Sequence, residues 1–184
     1  MRLTITTNEF YRIFESNITD PKNNEELGSL INADLSKIKF KGHGSIYNLD
    51  LSKSCLDNVD LYNGEIHKCN LSGASLKQVN LSRSKISHVN FTDADLSGAN
   101  LAYVKFSQCI FKNTNFENAN MEGVDFDGIG LYERDKFIKI ENAKFDGAIL
   151  RKANLRGYNP TYPKSCLDLT KSSLKNVDLV GSIY

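Results

Sequence analysis

His43, His67 and His88, with Cys55, Cys69, Cys109 and Cys166, are the side chains with which this 184-residue chain could hold a metal or mount a nucleophile. A tetrahedral metal site needs His and Cys at short paired spacings, and a thiol redox centre needs two cysteines close in sequence. Neither spacing occurs, so the cysteines read as reduced thiols. No glycine-rich phosphate loop, nucleophile elbow or Ser, His, Asp constellation is present. Glu65, Lys85, Lys105 and Asp125 recur at a fixed interval, which reads as a solvated charge ladder rather than acid and base machinery. The expectation is therefore no catalytic residue, no metal, no cofactor and no enzyme.

Composition narrows the field further. The chain carries 23 basic and 22 acidic residues for a formal charge of +1, which argues against direct nucleic-acid binding. It has no apolar run long enough for a membrane span, and Met1 to Asp20 lack the basic start and apolar stretch of an export signal. We read one domain made without a cleaved leader.

The elements that would position these side chains follow from a five-residue period. Ile46, Leu51, Leu56, Leu61, Ile66, Leu71, Leu76, Leu81, Ile86, Phe91, Leu96, Leu101, Phe106, Phe111, Phe116, Met121, Phe126 and Leu131 are all large and apolar. Two residues before the centres stand mostly small residues, such as Cys69, Ala74, Ala94, Ala99, Cys109 and Ala119. Neither a helix nor a strand keeps a five-residue step on one face. A coil with four short sides does, with about twenty residues per turn and successive turns about 4.8 Å apart in parallel register.

The period resembles that of the pentapeptide-repeat family, whose units carry a central Leu or Phe with Ala, Ser, Thr, Val or Cys two before it. The segment from Ala94 to Ala102 shows it most cleanly. The resemblance implies an all-β solenoid, a right-handed quadrilateral parallel β-helix of about seven coils. Residues 33–184 are assigned to the coil and residues 1–32 to an N-terminal cap or leader. Stacking at twenty residues predicts an interior column Leu71, Phe91, Phe111, Leu131, and a core in which Phe91, Phe106, Phe111, Phe116 and Phe126 are structural. Asn80, Asn100 and Asn120 should form an outward ladder. Cys69 and Cys109, two turns apart at about 9.6 Å, are too distant for a disulfide.

The register breaks in three places. One extra residue falls near Lys41 to Gly44, read as a bulge. Four extra precede Ile140, drawn from Tyr132 to Phe137, and four more precede Leu169, with a loop near 156–165 that holds Pro160 and Pro163. At the N-terminus Thr6 and Glu9 form a capping box ahead of Phe10, Ile13 and Phe14, and Asp20 with Pro21 would start a second short helix.

The functional reading is a non-enzymatic protein-binding scaffold in which Tyr132, Arg134, Lys136, Tyr158, Tyr162 and Lys164 meet another protein. Similar repeats occur in secreted bacterial effectors, and Thr4, Thr6, Thr7, Asn8, Ser16, Asn17 and Thr19 resemble the loosely polar leaders of type III effectors. The resemblance also implies an alternative, a DNA-mimicking protein that binds a type II topoisomerase and protects it from quinolones or toxins. Members of that kind carry projecting loops and dimerise through the C-terminal coil, yet dock a markedly negative surface. Here residues 46–131 hold ten acidic and seven basic groups and residues 132–184 hold six and ten, which ranks the topoisomerase second. Localisation is either the bacterial cytoplasm or a host cell reached by leaderless secretion.

Overall fold

The computed structural model describes residues 3–19, 28–40, 44–126, 139–155 and 172–183. Its elements are β1 (Leu3–Thr4), α1 (Thr7–Thr19), β2 (Gly28–Ser29), β3 (Ala33–Asp34), β4 (Ile46–Tyr47), β5 (Leu49–Asp50), β6 (Glu65–His67), β7 (Lys85–Ser87), β8 (Lys105–Ser107), β9 (Ile110–Lys112) and β10 (Lys139–Glu141). All strand pairs are parallel. The pairs between are single bridges such as Asn70↔Asn90, Ser75↔Asp95 and Asn80↔Asn100. The chain is the four-sided parallel coil that the period predicts.

Each side is short because each ends in a turn. The amide of the small inner residue donates to the carbonyl of the preceding centre, as in Ala74 N to Leu71 O at 3.1 Å and Ala99 N to Leu96 O at 3.0 Å. The residue two past the centre takes positive φ, at Asn58, Asn63, Asn113 and Asn118 and equally at Lys53, Gln78, Arg83, His88 and Tyr103. Where the amide-to-centre hydrogen bond is made, as at Leu71–Ala74 and Leu96–Ala99, this is the type II turn, whose third residue must be left-handed and favours Gly or Asn. Between turns the two backbone directions alternate: Leu71 N donates to Asn90 O at 2.8 Å, and Asn90 N to Cys69 O at 3.1 Å.

The centres form four interior columns, named here for Leu71, Leu76, Leu81 and Ile86 in chain order around one turn. Phe91 stacks on Phe111 with centroids 5.1 Å apart and planes at 10°, and Phe106 on Phe126 at 5.3 Å and 15°. Across the core Phe106 meets Phe111 edge-on at 5.0 Å and 85°. Polar residues in the inner row bond the backbone of the previous turn: Ser84 Oγ donates to Leu61 O at 2.9 Å and Thr114 Oγ1 to Phe91 O at 2.8 Å.

Two register assignments differ from the sequence reading. Ile140, not Leu131, pairs with Phe111, and Phe145 stacks on Phe116 at 5.0 Å. The partner offset rises from twenty residues, as at Asn100↔Asn120, to twenty-nine at Asn120↔Ile149, and again at Ile149↔Asp178. Each interruption therefore holds nine extra residues rather than four. Leu131 misled because it falls in phase with the preceding centres, and it lies outside the described residues. The ladder also reaches back to Gly28–Ser29, paired with β5, which is five residues ahead of the Ala33 start. Leu30 becomes an additional buried centre.

The N-terminal cover has two parts. β1 pairs with β3, which buries Ile5 against the coil. In the capping box the Thr6 amide donates to Glu9 Oε2 at 2.7 Å and the Glu9 amide to Thr6 Oγ1 at 3.2 Å. α1 then carries Phe10, fully buried, edge-on against Phe40 at 5.0 Å. The expected second helix at Asp20 and Pro21 lies outside the described residues.

Candidate protein-interaction surface

The Ile86 face carries the four-stranded sheet β4-β6-β7-β8, the broadest sheet among the described residues. Alternation sends Ile66, Ile86 and Phe106 inward and leaves two outward rows. One row is Glu65, Lys85 and Lys105; the other is Tyr47, His67, Ser87 and Ser107. The Tyr47 hydroxyl donates to Glu65 Oε2 at 3.0 Å, and Lys85 Nζ reaches Glu65 Oε1 at 3.5 Å. His67 Nδ1 lies 2.7 Å from Ser87 Oγ, and its ring meets His88 edge-on at 4.9 Å. His67, one past the Ile66 centre, and His88, two past the Ile86 centre one turn on, thus meet across successive turns. His43 lies outside the described residues.

Tyr47, Glu65, Ile66, His67, Lys85 and Ser87 line a shallow cleft of about 300 Å³. Burial lowers the His67 pKa, Lys68 adds to this and Glu65 opposes it. Burial raises the Tyr47 phenol, with Glu65 contributing against a Ser45 hydrogen bond. The neutral forms of both rings are therefore favoured.

The corner that precedes this face is built around Tyr103. Its ring lies where a Cβ on Gly123 would come within 2.6 Å, so only glycine fits beneath it. Its hydroxyl donates to Glu122 Oε1 at 3.3 Å, which Lys152 Nζ also meets at 3.3 Å. The Arg83 guanidinium carbon stands 5.7 Å from the ring centroid.

The corner that follows the face is where the period breaks. Phe126 and Leu155 both close the Ile86 column, with amides bonded one turn on to Asn154 O at 3.0 Å and Ile183 O at 2.8 Å. The chain re-enters at Lys139, opposite Ile110, and by Ser173, opposite Lys144. The first nine-residue insertion therefore leaves from this corner, and the second falls between Leu155 and Ser173, where residues 156–171 lie outside the described residues. Tyr132, Arg134, Lys136, Tyr158, Tyr162 and Lys164 belong to these insertions and lie outside the described residues.

The remaining chemistry is inert. Cys69 and Cys109 sit in the inner row and burial pushes both thiols up to about 12, so neither is a nucleophile near neutrality. Cys55 is buried and free, and Cys166 lies outside the described residues. The outward Asx rows serve the backbone. Asn80 Nδ2 donates to Asp60 Oδ1 at 2.9 Å, Asn100 to Asn80 at 3.3 Å and Asn120 to Asn100 at 3.4 Å, while their own Oδ1 atoms accept amides two residues on. Among the described residues no three His, Cys, Asp or Glu side chains converge as a metal site would require, and no helix is long and apolar enough to cross a membrane.

Sequence reasoning found the charge ladder and the Asn ladder. It missed the His67–His88 contact, the Arg83–Tyr103 contact and the nine-residue length of each interruption.

Comparison with known proteins agrees with the repeat. The family model described as pentapeptide repeat region matches residues 60–135. No curated protein matches the chain at a significant level. Among solved structures, a pentapeptide repeat protein from the Arabidopsis thaliana thylakoid lumen is 18% identical over 60% of this chain, with a TM-score of 0.38. The match spans 63% of that protein, less than two thirds of its length. QnrB1, a plasmid-mediated fluoroquinolone resistance protein, is 14% identical over 84% of this chain and 90% of its own, with a TM-score of 0.45. HetL, involved in heterocyst differentiation regulation in the cyanobacterium Nostoc sp. strain PCC 7120, is 20% identical over 97% of each chain, with a TM-score of 0.28. The five-residue period, the four-sided parallel ladder and the matched region agree: residues 60–135 are similar to a pentapeptide repeat region.

Proposed function

We propose that this protein works by gripping another protein with the two insertions in its coil, with the adjoining Ile86 face completing the contact. The observation that carries this reading is the pair of insertions. Each adds nine residues without disturbing the register on either side. Insertions on a rigid scaffold are tolerated at low cost, and such segments carry recognition in many folds. Tyr132, Arg134, Lys136, Tyr158, Tyr162 and Lys164 supply the aromatic and basic side chains that dominate protein interfaces.

A type II topoisomerase in the bacterial cytoplasm ranks ahead of a host target reached by secretion. The stretch that resembles a secretion leader is engaged in the cap: Thr4 stands in β1, Thr6 closes the capping box and Thr7–Thr19 forms α1. The outward rows are neutral ladders or mixed charge, so docking on a topoisomerase would rest on the insertions rather than on a uniformly acidic face. A homodimer through the C-terminal coil is a further part of the reading, supported by Leu174, Leu179 and Ile183, which are about 40% exposed on the turn of residues 172–183. Sedimentation at rising concentration tests it.

The experiment for the main reading excises residues 129–137 and 158–166, which restores a uniform twenty-residue period. Full-length protein should alter the supercoiling activity of gyrase or its inhibition by a fluoroquinolone, and the excised protein should not, while both melt cooperatively. No effect of excess full-length protein removes the topoisomerase. Equal effects of both proteins remove the insertions as the contact.

A further inference from the structure

We infer that Arg83, Lys85 and Lys105 form a docking strip for an acidic segment of a protein partner. The inference rests on the proposed role as a protein-binding scaffold and gives that partner a chemistry.

Lys85 and Lys105 are direct partners in the β7–β8 register. Like charges opposite one another across a ladder are destabilising. Three other outward columns set an amide against a carboxylate instead: Asn70 donates to Asp50 at 3.1 Å, Asn113 to Asp93 at 2.8 Å and Asn115 to Asp95 at 3.1 Å. The segments 82–88 and 102–108 contain two lysines and an arginine and no carboxylate. Glu65 reaches Lys85 at 3.5 Å, but the two side chains are 49% and 73% exposed, so water screens the pair and it exchanges readily. Asp125 follows Lys105 in the column, yet its Oδ1 accepts from Asn154 Nδ2 at 3.0 Å, and Lys105 makes no ion pair among the described residues. Arg83 lies over Tyr103 instead of a carboxylate. Three cations thus share one weak internal partner.

The strip stands on a rigid parallel sheet, so little ordering cost falls on binding. Arginine and lysine at turn-to-turn spacing suit carboxylates, and Tyr103 adds an exposed aromatic of the kind that anchors interfaces. Glu65 and Asp125 bracket the strip. That favours a short acidic stretch of protein over a nucleic-acid strand, whose continuous charge would run onto these carboxylates.

The test is fluorescence anisotropy of a labelled hexaglutamate peptide with the full chain at low ionic strength. Arg83→Glu, Lys85→Glu and Lys105→Glu together should weaken binding at least tenfold. The matched control Lys37→Glu, Lys53→Glu and Lys144→Glu, with the same change in net charge on other faces, should weaken it less than twofold. Circular dichroism checks that both fold. Equal losses, no binding by the unaltered protein, or tighter binding of a six-nucleotide single-stranded DNA than of the peptide would each overturn the inference. The excised protein lacking both insertions should keep its peptide affinity. Failure of the strip therefore shows in the peptide series, and failure of the scaffold reading shows in the gyrase assay.

Discussion

The turns built by residues 46–126 and the turn built by 172–183 follow one sequence rule with different results. Leu76, Leu96 and Leu101 are fully buried, while Leu174 and Leu179, at the equivalent positions, are 39% and 40% exposed. The backbone does not explain this. Asn118 and Asn176 take nearly the same positive φ, and Lys152 N donates to Val180 O at 3.0 Å as Tyr103 N donates to Glu122 O at 2.8 Å. What differs is the covering turn. The five-residue unit points a side chain at the axis, but only a neighbour above and below removes it from water, so stability in this fold resides between turns rather than within them.

The strongest way to break that comparison is a matched pair of charges. Phe111→Asp, inside the stacked phenylalanines, should abolish soluble folded protein, whereas Leu179→Asp should leave a cooperative melt. The milder Phe111→Ala should cost about 3–5 kcal/mol, and denaturant titration would expose a smaller loss. Comparable damage from Leu179→Ala would show that the outer turn is buried in solution, as a dimer through that coil requires.

Glycine corners sharpen the point. A Cβ on Gly98 would lie 1.9 Å from the Gln78 amide nitrogen, whereas one on Gly181 meets only Lys152 Cγ at 3.5 Å. Both have φ near 70°, so each Gly→Ala change costs about 1–2 kcal/mol of left-handed strain. Gly98→Ala should add the displacement of Gln78, and thermal melts should rank it as the more damaging. At the opposite end Thr6→Ala removes the helix cap and should cost about 1 kcal/mol, measurable in the same melts.

Acid should weaken both regions. In the central turns burial pushes Asp95 up, but the Ser97 backbone and hydroxyl bonds and Lys77 outweigh it and hold the group below 3.8. In the outer turns the Ser173 hydroxyl lowers Asp146 and the Val180 amide lowers Asp178. Depressed carboxyls stabilise the fold above their ordinary value of 3.8 and lose that contribution as pH falls through the folded value. His67, lowered from 6.5, acts earlier in the same direction, so melting temperature should begin to fall below pH 6.5 and His67→Gln should flatten that first decline. The smallest signal concerns the thiols. Cys69 and Cys109 are raised from 9.0 to about 12, so their contribution is whole below pH 9.0 and is lost as pH rises toward 12. In a Cys166→Ser background neither should react with a thiol reagent at pH 8 until denaturant is added.

The fold was legible because a five-residue apolar step admits few geometries. Ile86, Phe106 and Phe126 could be placed in one column by counting alone. The count failed at Leu131, which falls in phase with the preceding centres, whereas Ile140 is the residue paired with Phe111. The left-handed corners were hidden for another reason. Lys53, Arg83, His88 and Tyr103 occupy positions that glycine or asparagine would fill more cheaply, so their residue types give no hint of the turn. The site was less legible still. Lys85 and Lys105 were visible as a column, but that Lys105 makes no ion pair among the described residues depends on where Asp125 directs its oxygen.

By itself the sequence determined the coil, its four columns and its apolar core, because periodicity specifies which side chains must leave water. Only the tertiary structure decided that each insertion holds nine residues, that Ile140 pairs with Phe111 to resume the ladder, and that Arg83 lies on Tyr103 beside two facing lysines. Those facts are set by register between turns. Register is chosen by the packing of side chains twenty or more residues apart, which no local pattern encodes.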